Sequence, residues 1–408
     1  MKLEKEKVLM LSSVASMIDQ FNMPNIRLLL EMGYEVHVAC NFTDGNTCDK
    51  RRVQTLCQTL RGMQVALHQW DCPRKLRPVK NCLLAYRQLL ELMGRIRFAW
   101  MHCHSPIGGA LARLAAHRNG IPVAYTAHGF HFYKGAPVKN WLVYYPAEKL
   151  LAHWTDILIT INREDDALAR QKLRAGKICR LPGIGIDTCR FSSNGAYGHR
   201  EFCRQYQIPE QAVMLLSVGE LSDRKNHQVV IKALADMHRQ DVYYIICGQG
   251  RLRGELRRLA ATLGVEARVR MTGFQKDVER LYRNADIFVF PSRQEGMPVA
   301  LMEAMASGLV CAVSDIRGNR ELIDEKGGIL FPPDDPEGLR VGLEKLLEHP
   351  SVWQECGSYN QVKVKPYGKE HVMRRMERIY TMMAGNSLDS KEREDEKKEE
   401  SSGTVICL

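Results

Sequence analysis

The sequence has no long apolar run, no pair of cysteines at metal-binding spacing and no Asp-x-Asp triplet. Its first apolar run, residues 8–11, is too short for a signal-peptide core or a membrane span, which predicts a cytoplasmic protein. Thirteen cysteines are scattered along the chain without a CxxC pair, which predicts reduced and mostly buried thiols. These absences argue against a secreted, disulfide-linked protein and against a zinc-finger protein.

Length and charge describe what the chain does contain. Its 408 residues predict two domains, each of roughly 150 to 200 residues. The composition, 45% apolar and 26% charged, is typical of a globular protein. A net charge of +11 favours an anionic partner, which could be a phosphorylated substrate, an acidic membrane surface or nucleic acid.

Short apolar runs alternate with stretches long enough for helices, which predicts parallel sheets in α/β domains. The first series is 8–11, 35–40, 100–104, 123–127 and 157–160, and the second is 213–218, 242–247, 269–272, 287–290 and 309–314. The Gly- and Pro-rich stretch "RLPGIGIDTCRFSSNGAYG" between the two series predicts a domain boundary near residue 190. We expect domains at 1–190 and 191–365, a helix at 366–385 that packs back on the first domain, and a disordered charged tail at 386–408.

The stretch "SRQEGMPVALMEAMASG" places two glutamates, Glu295 and Glu303, among small and apolar side chains. It follows the apolar run 287–290, and Pro298 suits the first turn of a helix. The free amides at such a helix start form an anion site that suits phosphate. Either glutamate could be a surface charge, but the apolar neighbours of Glu303 leave it no obvious polar face. We therefore expect both carboxylates to belong to a binding site.

The Glu-x7-Glu pattern of this stretch resembles the donor-site signature of family 4 glycosyltransferases, which are retaining enzymes. The resemblance covers nearly the whole chain and implies the α/β fold called GT-B. In that fold two Rossmann-like, doubly wound parallel-sheet domains face each other across a cleft, with the acceptor bound by the first domain and the nucleotide-sugar donor by the second. The chain is most similar to bacterial enzymes of capsule, exopolysaccharide and lipid-linked glycan assembly.

The resemblance also implies roles for particular residues of the second domain. Glu295 would hold hydroxyl groups of the donor sugar, Glu303 the ribose diol, and Lys225 in "LLSVGELSDRKNHQVVIKAL" the donor diphosphate. Many members have Gly-Arg where this chain has Gly219-Glu220, and Arg224 is the nearest substitute for that arginine; both cations could instead be solvated loop charges. The other implied donor-binding residues are Gly219, Gly248, Phe274, Val278, Gly296, Met297 and Pro298.

In the first domain the resemblance points to His128 in "VAYTAHGFHF", where the family has a histidine that contacts the transferred sugar or supports the reaction centre. His131 competes for this role, and either histidine could be a satisfied core group. We expect His104, Ser12 and Asp19 on the acceptor side, although the family's Gly-Gly loop is missing near the last two. The pair of histidines in "HCHSPIGG" lacks a third ligand nearby in sequence, so we expect no metal site.

Two segments are rich in cations: the first is a basic cluster, and the second mixes lysines with aromatic residues. These are "RKLRPVKN", with Arg74, Lys75, Arg77 and Lys80, and "KGAPVKNWLVYYPAEKLLAHW", with Trp141, Tyr144, Tyr145 and Trp154 among lysines. Such mixtures suit an anionic membrane surface and a lipid-diphosphate acceptor. The alternative is an ordinary domain helix whose aromatic face lies in the core.

A nucleoside diphosphate is a good leaving group, so cations and helix dipoles assist its departure more than a proton donor would. We therefore expect His128, Lys225 and Glu295 as the catalytic residues, with no metal and no cofactor. The predicted reaction moves a sugar from a UDP-hexose or UDP-N-acetylhexosamine to a glycan or polyprenyl-diphosphate-linked glycan. Alternatives are a GT-B nucleotide-sugar epimerase, which needs no acceptor, and a basic nucleic-acid-binding protein, for which no recognition motif stands out.

Overall fold

The computed structural model describes residues 5–46, 48–74, 78–192 and 198–385. Lys75 and Arg77 of the basic segment and the predicted tail at 386–408 lie outside the described residues. The chain divides into two compact units, which we call unit 1 (Met1–Leu181 with Val372–Leu408) and unit 2 (Pro182–His371). Within the described residues, no helix combines the length and hydropathy required to cross a membrane.

Unit 1 is built on a parallel sheet whose described strands lie in the order β3-β2-β1-β4-β5-β6-β7. The strands are β1 (Lys7–Val14), β2 (Glu35–Asn41), β3 (Ala66–Gln69), β4 (Trp100–His104), β5 (Val123–Ala127), β6 (Ile157–Thr160) and β7 (Lys177–Arg180). The helices that connect them are α1 (Ala15–Met17), a π-helical turn (Ile18–Asn22), α2 (Met23–Glu31), α3 (Lys50–Gly62), α4 (Val79–Arg95), α5 (Pro106–Asn119), α6 (Val138–Ala152) and α7 (Arg163–Lys172).

The sheet of unit 1 is buried on both faces, because side chains alternate in direction along each strand. Val8 and Met10 of β1 join one apolar core, together with residues of α2 and α3. Leu9 and Leu11 join the core on the opposite face, together with residues of α4, α5 and α6. Helices therefore cover both faces, as a doubly wound fold requires.

Unit 2 repeats this plan with the described strand order β10-β9-β8-β11-β12-β13, again parallel. The strands are β8 (Val213–Val218), β9 (Val242–Cys247), β10 (Val269–Gly273), β11 (Ile287–Phe290), β12 (Val310–Ser314) and β13 (Gly328–Phe331). The helices are α8 (Thr188–Ser192), α9 (His199–Tyr206), α10 (His227–Asp236), α11 (Arg253–Thr262), a 3-10 turn (Glu266–Arg268), α12 (Glu279–Arg283), α13 (Val299–Ala306), α14 (Arg317–Leu322), α15 (Pro336–Glu348), α16 (Ser351–Val364) and a second 3-10 turn (Lys365–Tyr367).

The last helix, α17 (Lys369–Met383), joins the core of unit 1 through Met376, Ile379 and Tyr380. The hydroxyl of Tyr380 lies 2.9 Å from Nδ1 of the buried His102 on β4. Its ring lies 5.1 Å from that of Trp100. The chain thus leaves unit 1 after Leu181, nine residues before the predicted boundary, and α17 completes unit 1.

In each sheet the strand order reverses direction between two neighbouring strands, β1 and β4 in unit 1 and β8 and β11 in unit 2. At such a switch point the chain continues from the two strands in opposite directions along the sheet. Open α/β sheets bind their ligands at such switch points. The fold alone therefore directs attention to the loops that follow β8 and β11.

Candidate active site

The loops after β8 and β11 meet through an ion cluster centred on Glu295. Oε1 of Glu295 lies 2.8 Å from Nζ of Lys225 and 2.6 Å from Nη1 of Arg224. The Nζ of Lys225 also lies 4.5 Å from the centre of the Phe290 ring. Two cations thus face one carboxylate, which leaves an excess positive charge at the switch point of unit 2.

Backbone hydrogen bonds hold the two loops together at the cluster. The amide of Arg293 donates to the carbonyl of Arg224 at 2.8 Å, and Nη1 of Arg293 donates to the carbonyl of Asp223 at 2.7 Å. The guanidinium of Arg224 donates in turn to the carbonyl of Gln294 at 3.1 Å. Because the loops are bound by main-chain contacts, Lys225 and Glu295 are positioned before any ligand binds.

The surroundings of the cluster favour an ionised Glu295. Burial acts to raise its pKa, but the charges of Lys225 and Arg224 outweigh burial and hold the pKa below its usual value. Burial lowers the pKa of Lys225, although Glu295 opposes this change. Burial and the charge of Lys225 also lower the pKa of the nearby His227 to about 4, so this histidine is neutral at physiological pH.

Helix α13 begins next to the cluster, and Pro298 is its N-cap residue. No side chain of the described residues caps its first amides, so these donors and the helix dipole are available to a ligand at the carboxyl edge of the sheet. Met297 is buried, whereas Gly296 lies in the partly exposed turn before the helix. A Cβ on Gly318 would come within 2.8 Å of the carbonyl oxygen of Gly296, so the start of α14 packs closely against this turn.

Two glycines bring the loops after β8 and β9 into close approach. Gly248 has a φ of +154°, and a Cβ there would lie 1.8 Å from the carbonyl oxygen of Gly219. A Cβ on Gly219 would lie 3.1 Å from Cε of Lys225. Only glycine at position 248 allows this packing, which holds the backbone around Lys225 in place.

The second predicted glutamate, Glu303 on α13, has a partner that the sequence did not reveal. The phenol of Tyr282 on α12 donates to Oε2 of Glu303 at 2.9 Å. Burial raises the pKa of Glu303 to about 7, although Tyr282 and the charge of Arg190 oppose the rise. Arg190 is itself paired with Glu279. Tyr282 reads as an ordinary core residue in the sequence, and no local signal points to its role.

The residues predicted near a nucleotide base lie beyond the next strand. Phe274 follows β10 directly and is 67% exposed. The preceding residue, Gly273, accepts a hydrogen bond from the amide of Gly248 at 3.0 Å, so the loops after β9 and β10 are adjacent. Val278 occupies the N-cap position of α12, the helix that carries Tyr282. An exposed aromatic ring beside a glycine turn provides a flat surface on which a planar ring can stack.

In unit 1 three histidines lie together at the carboxyl ends of β4 and β5. Nδ1 of His104 lies 3.1 Å from Nε2 of His128, and the rings of His102 and His104 have centroids 4.1 Å apart. Burial lowers the pKa of His102 to about 3, that of His128 to about 4, and that of His104 well below its usual value. All three rings are therefore neutral at physiological pH. Among the described residues no group of three His, Cys, Asp or Glu side chains is placed to hold a metal ion.

The neighbours of His104 allow its tautomer and that of His128 to be assigned. Nε2 of His104 lies 3.3 Å from the sulfur of Met10, which accepts but does not donate hydrogen bonds. Nε2 of His104 therefore carries the proton, and Nδ1 accepts from Nε2–H of His128. In the neutral His128 ring Nδ1 is consequently the acceptor atom. This ring can receive a hydrogen bond from a hydroxyl group.

The remaining predicted residues of unit 1 already have contacts within that unit. Ser12 is fully buried, and its hydroxyl donates to the carbonyl of Val14 at 2.8 Å. Asp19 is held by two hydrogen bonds from Arg52, at 2.7 and 2.9 Å. His131 stacks on Tyr144 with ring centroids 4.6 Å apart.

Two Rossmann-like units, each with a switch point, define the fold class of GT-B glycosyltransferases. Solved structures of Anabaena Alr3699/HepE, in complex with UDP and with UDP-glucose, superpose on the chain with a TM-score of 0.74. They share 16% sequence identity with it and cover 92% of the chain, whereas the chain covers 100% and 99% of theirs. The predicted fold class is confirmed.

The chain belongs to the group 1, family 4-like glycosyltransferases. The family model for glycosyl transferases group 1 matches residues 199–363, and that for glycosyl transferase 4-like proteins matches residues 7–162. EpsD of Bacillus subtilis (strain 168), provisionally named a glycosyltransferase, is 33% identical over 396 residues, covering 95% of this chain and 99% of EpsD. The predicted family and the predicted enzyme class, a transferase, are confirmed.

A second relative has a fully specified name. It is the UDP-Gal:alpha-D-GlcNAc-diphosphoundecaprenol alpha-1,3-galactosyltransferase of Escherichia coli, 30% identical over 269 residues. The match covers 64% of this chain and 69% of that enzyme. Lipid-linked glycan assembly is therefore represented among the relatives of the chain.

Proposed function

We propose that this glycosyltransferase moves a hexose or N-acetylhexosamine from a UDP donor, bound by unit 2, to a glycan or polyprenyl-diphosphate-linked glycan. The reaction would serve the synthesis of a cell-surface polysaccharide. The observation that carries the proposal is the convergence of Lys225 and Arg224 on Glu295 beside the uncapped start of α13. This arrangement offers positive charge to a diphosphate and a carboxylate to the hydroxyl groups of a sugar.

The departing diphosphate requires charge stabilisation more than protonation. Lys225 and the amides at the start of α13 would stabilise it, while Glu295 would accept hydrogen bonds from the sugar. Arg224, in place of the arginine that many family members carry at Glu220, would supply a second cation. We propose that these groups make a metal or a cofactor unnecessary. We further propose that the anomeric configuration is retained, as the resemblance to family 4 implies.

Two comparisons support a uridine donor. The name of the Escherichia coli relative specifies UDP-Gal, and the Anabaena structures contain UDP and UDP-glucose. In this chain Phe274 would stack on the base, and Glu303 would accept hydrogen bonds from the ribose diol. The exposure of Phe274 and the placement of Glu303 in the second turn of α13 are compatible with one nucleotide in unit 2.

The acceptor is proposed to bind to unit 1. The acceptor of the Escherichia coli relative is a diphosphoundecaprenol-linked sugar by its name, which supports a lipid-linked acceptor. His128, whose Nδ1 is an acceptor atom, would receive a hydrogen bond from a sugar hydroxyl group. A lipid-linked acceptor resides in a membrane, so an anionic membrane surface is proposed as a partner.

The proposal is tested by incubating the purified full-length protein with UDP-glucose, UDP-galactose or UDP-N-acetylglucosamine and a polyprenyl-diphosphate-linked N-acetylglucosamine acceptor. Mass spectrometry should detect the product of one sugar transfer, and chelation by EDTA should leave its rate unchanged. Substitution E295A should lower kcat/KM by about tenfold to a hundredfold, because the hydrogen bonds that the sugar donates to a charged group are lost. The matched control is E255A, at an exposed glutamate of α11.

Full transfer activity in E295A would refute the assigned role of Glu295. A thermal-shift comparison of UDP-, GDP- and ADP-sugars tests the base separately, and stabilisation by GDP- or ADP-sugars alone would refute the uridine donor. Product anomeric configuration, read by NMR, tests retention. An inverted product would show that the resemblance to family 4 was extended too far.

A further inference from the structure

The outward face of α6 is unusually apolar for a helix on a domain surface. Its exposed residues are Val138, Lys139, Leu142, Val143, Pro146, Ala147, Lys149 and Leu150. Val138 and Leu142 are 74% and 72% exposed, and Leu150 is 56% exposed. The only charges on this face are two lysines, and no carboxylate lies on it. Side chains of this size normally face a core or a partner.

Contacts inside unit 1 fix the rotation of α6 about its axis. Glu148, the acidic residue of the helix, points inward and forms two hydrogen bonds with the fully buried Arg113 of α5, at 2.9 and 3.0 Å. Trp141 and Tyr145 pack against the core on the same side, with Phe132 between them. The aromatic residues therefore face the core, and the aliphatic residues face solvent. The alternative given for this segment, a domain helix whose aromatic face lies in the core, thus describes how Trp141 and Tyr145 are placed.

The first two turns of α4 have the same character. Val79, Leu83 and Leu84 are exposed there, next to the exposed cations Lys80 and Arg87. Helices α4 and α6 contact α5 and belong to the core on the same face of the sheet. We call the exposed residues of α6 and of residues 79–87 the α4–α6 surface. Within the described residues it combines exposed aliphatic side chains with four cations and no carboxylate.

We propose that the α4–α6 surface binds the interface of an anionic lipid bilayer. The inference rests on the proposed function, which names an anionic membrane surface as a partner, and it adds the surface of unit 1 that makes the contact. Aliphatic side chains would enter the boundary between headgroups and acyl chains, while Lys80, Arg87, Lys139 and Lys149 would contact the phosphates. A second protein copy explains the surface less well, because lysine is depleted in protein interfaces, whereas it is favoured at anionic bilayers.

The binding is measured by co-sedimentation of the full-length protein with vesicles of phosphatidylcholine, with and without phosphatidylglycerol. Wild type should bind the anionic vesicles at low salt and bind more weakly at high salt. The double variant L142E/L150E should lower the partition coefficient at least about tenfold, because apolar burial is lost and negative charge is added. The variant K139Q/K149Q should weaken binding to anionic vesicles about tenfold while affecting neutral vesicles little.

The matched control is V362E, at a valine of α16 that is 63% exposed in unit 2. It should bind vesicles as wild type does. UDP binding, measured by thermal shift, should be unchanged in every variant, which separates this inference from the proposed donor site and confirms folding. If wild type does not sediment with anionic vesicles at low salt, the inference is wrong. The inference is equally wrong if L142E/L150E binds anionic vesicles as wild type does. It is also wrong if the only effect of L142E/L150E is to convert a dimer to a monomer, as measured by light scattering.

Discussion

The affinity for a nucleotide sugar should depend on pH through Glu303. Burial places the pKa of this carboxyl at about 7, compared with 4.5 for an ordinary glutamate. In the proposed function a ribose diol would donate its hydrogen bonds to the ionised carboxylate, and such charge-assisted bonds are roughly twice as strong as neutral ones. If the ionised form binds about tenfold more tightly, binding lowers the pKa of Glu303 by about one pH unit, to about 6.

The sign and size of the effect follow from this pKa change. Well below pH 6 the carboxyl is protonated in both states, and well above pH 7 it is ionised in both, so affinity rises with pH mainly between pH 6 and pH 7. Linkage then gives a gain of about sevenfold from pH 5.5 to pH 8, and release of about half a proton on binding at pH 6.5. UDP-glucose is the suitable ligand, because its diphosphate diester does not titrate in this range.

Isothermal titration calorimetry in two buffers of different ionisation enthalpy measures both quantities. The variant E303Q should bind with an affinity that is flat over this pH range and should release no proton. Substitution Y282F removes the hydrogen bond that opposes the raised pKa, so the midpoint should move to higher pH. An unchanged affinity in wild type, or an equal pH slope in E303Q, would show that Glu303 does not contact the ribose.

Two further predictions concern stability. Substitution R113M leaves the carboxylate of Glu148 buried without its cationic partner and should lower the free energy of unfolding by about 3 to 5 kcal/mol. The double variant R113M/E148L should recover most of this loss, as measured by thermal melts followed by circular dichroism. A loss below about 1 kcal/mol in R113M would contradict the buried pair. Substitution G248A should destabilise the protein by roughly 2 kcal/mol or more and abolish UDP binding. The control G254A, with nothing within 4 Å of the added Cβ, should be neutral or slightly stabilising. Equal stability of the two variants would contradict the close approach of Gly248 to Gly219.

The central strands could be predicted from the sequence, whereas several edge strands could not. The strands β4, β5, β8, β9 and β11 begin and end where the apolar runs do, because both faces of a central parallel strand are buried. The missed strands β3, β7 and β13 each lie at the edge of a described sheet. Edge strands pair on one side only and carry polar residues, as in the sequence of β7, "KICR". The apolar pattern of β3 and β7 is therefore too weak to recognise, whereas β13, "GILF", is apolar but very short.

For the site, the residues were easier to name than their contacts. Glu295 and Lys225 were identified by motif, but a separation of 70 residues hides their ion pair until the strand order places β8 beside β11. The pairing of Tyr282 with Glu303 depends on how α12 packs against α13, which no local pattern encodes. Arg113 is a similar case, since an arginine on a helix is normally read as a surface residue.

The return of α17 to unit 1 affects how the protein is made. Tyr380 is 278 residues downstream of His102, its hydrogen-bond partner, and all of unit 2 is synthesised between them. At ribosomal rates of about 5 to 20 residues per second, this delay lasts roughly 14 to 56 s. Unit 2 can therefore fold on the ribosome as one continuous segment, while Trp100 and His102 of unit 1 lack their contacts with α17 until Tyr380 has been synthesised.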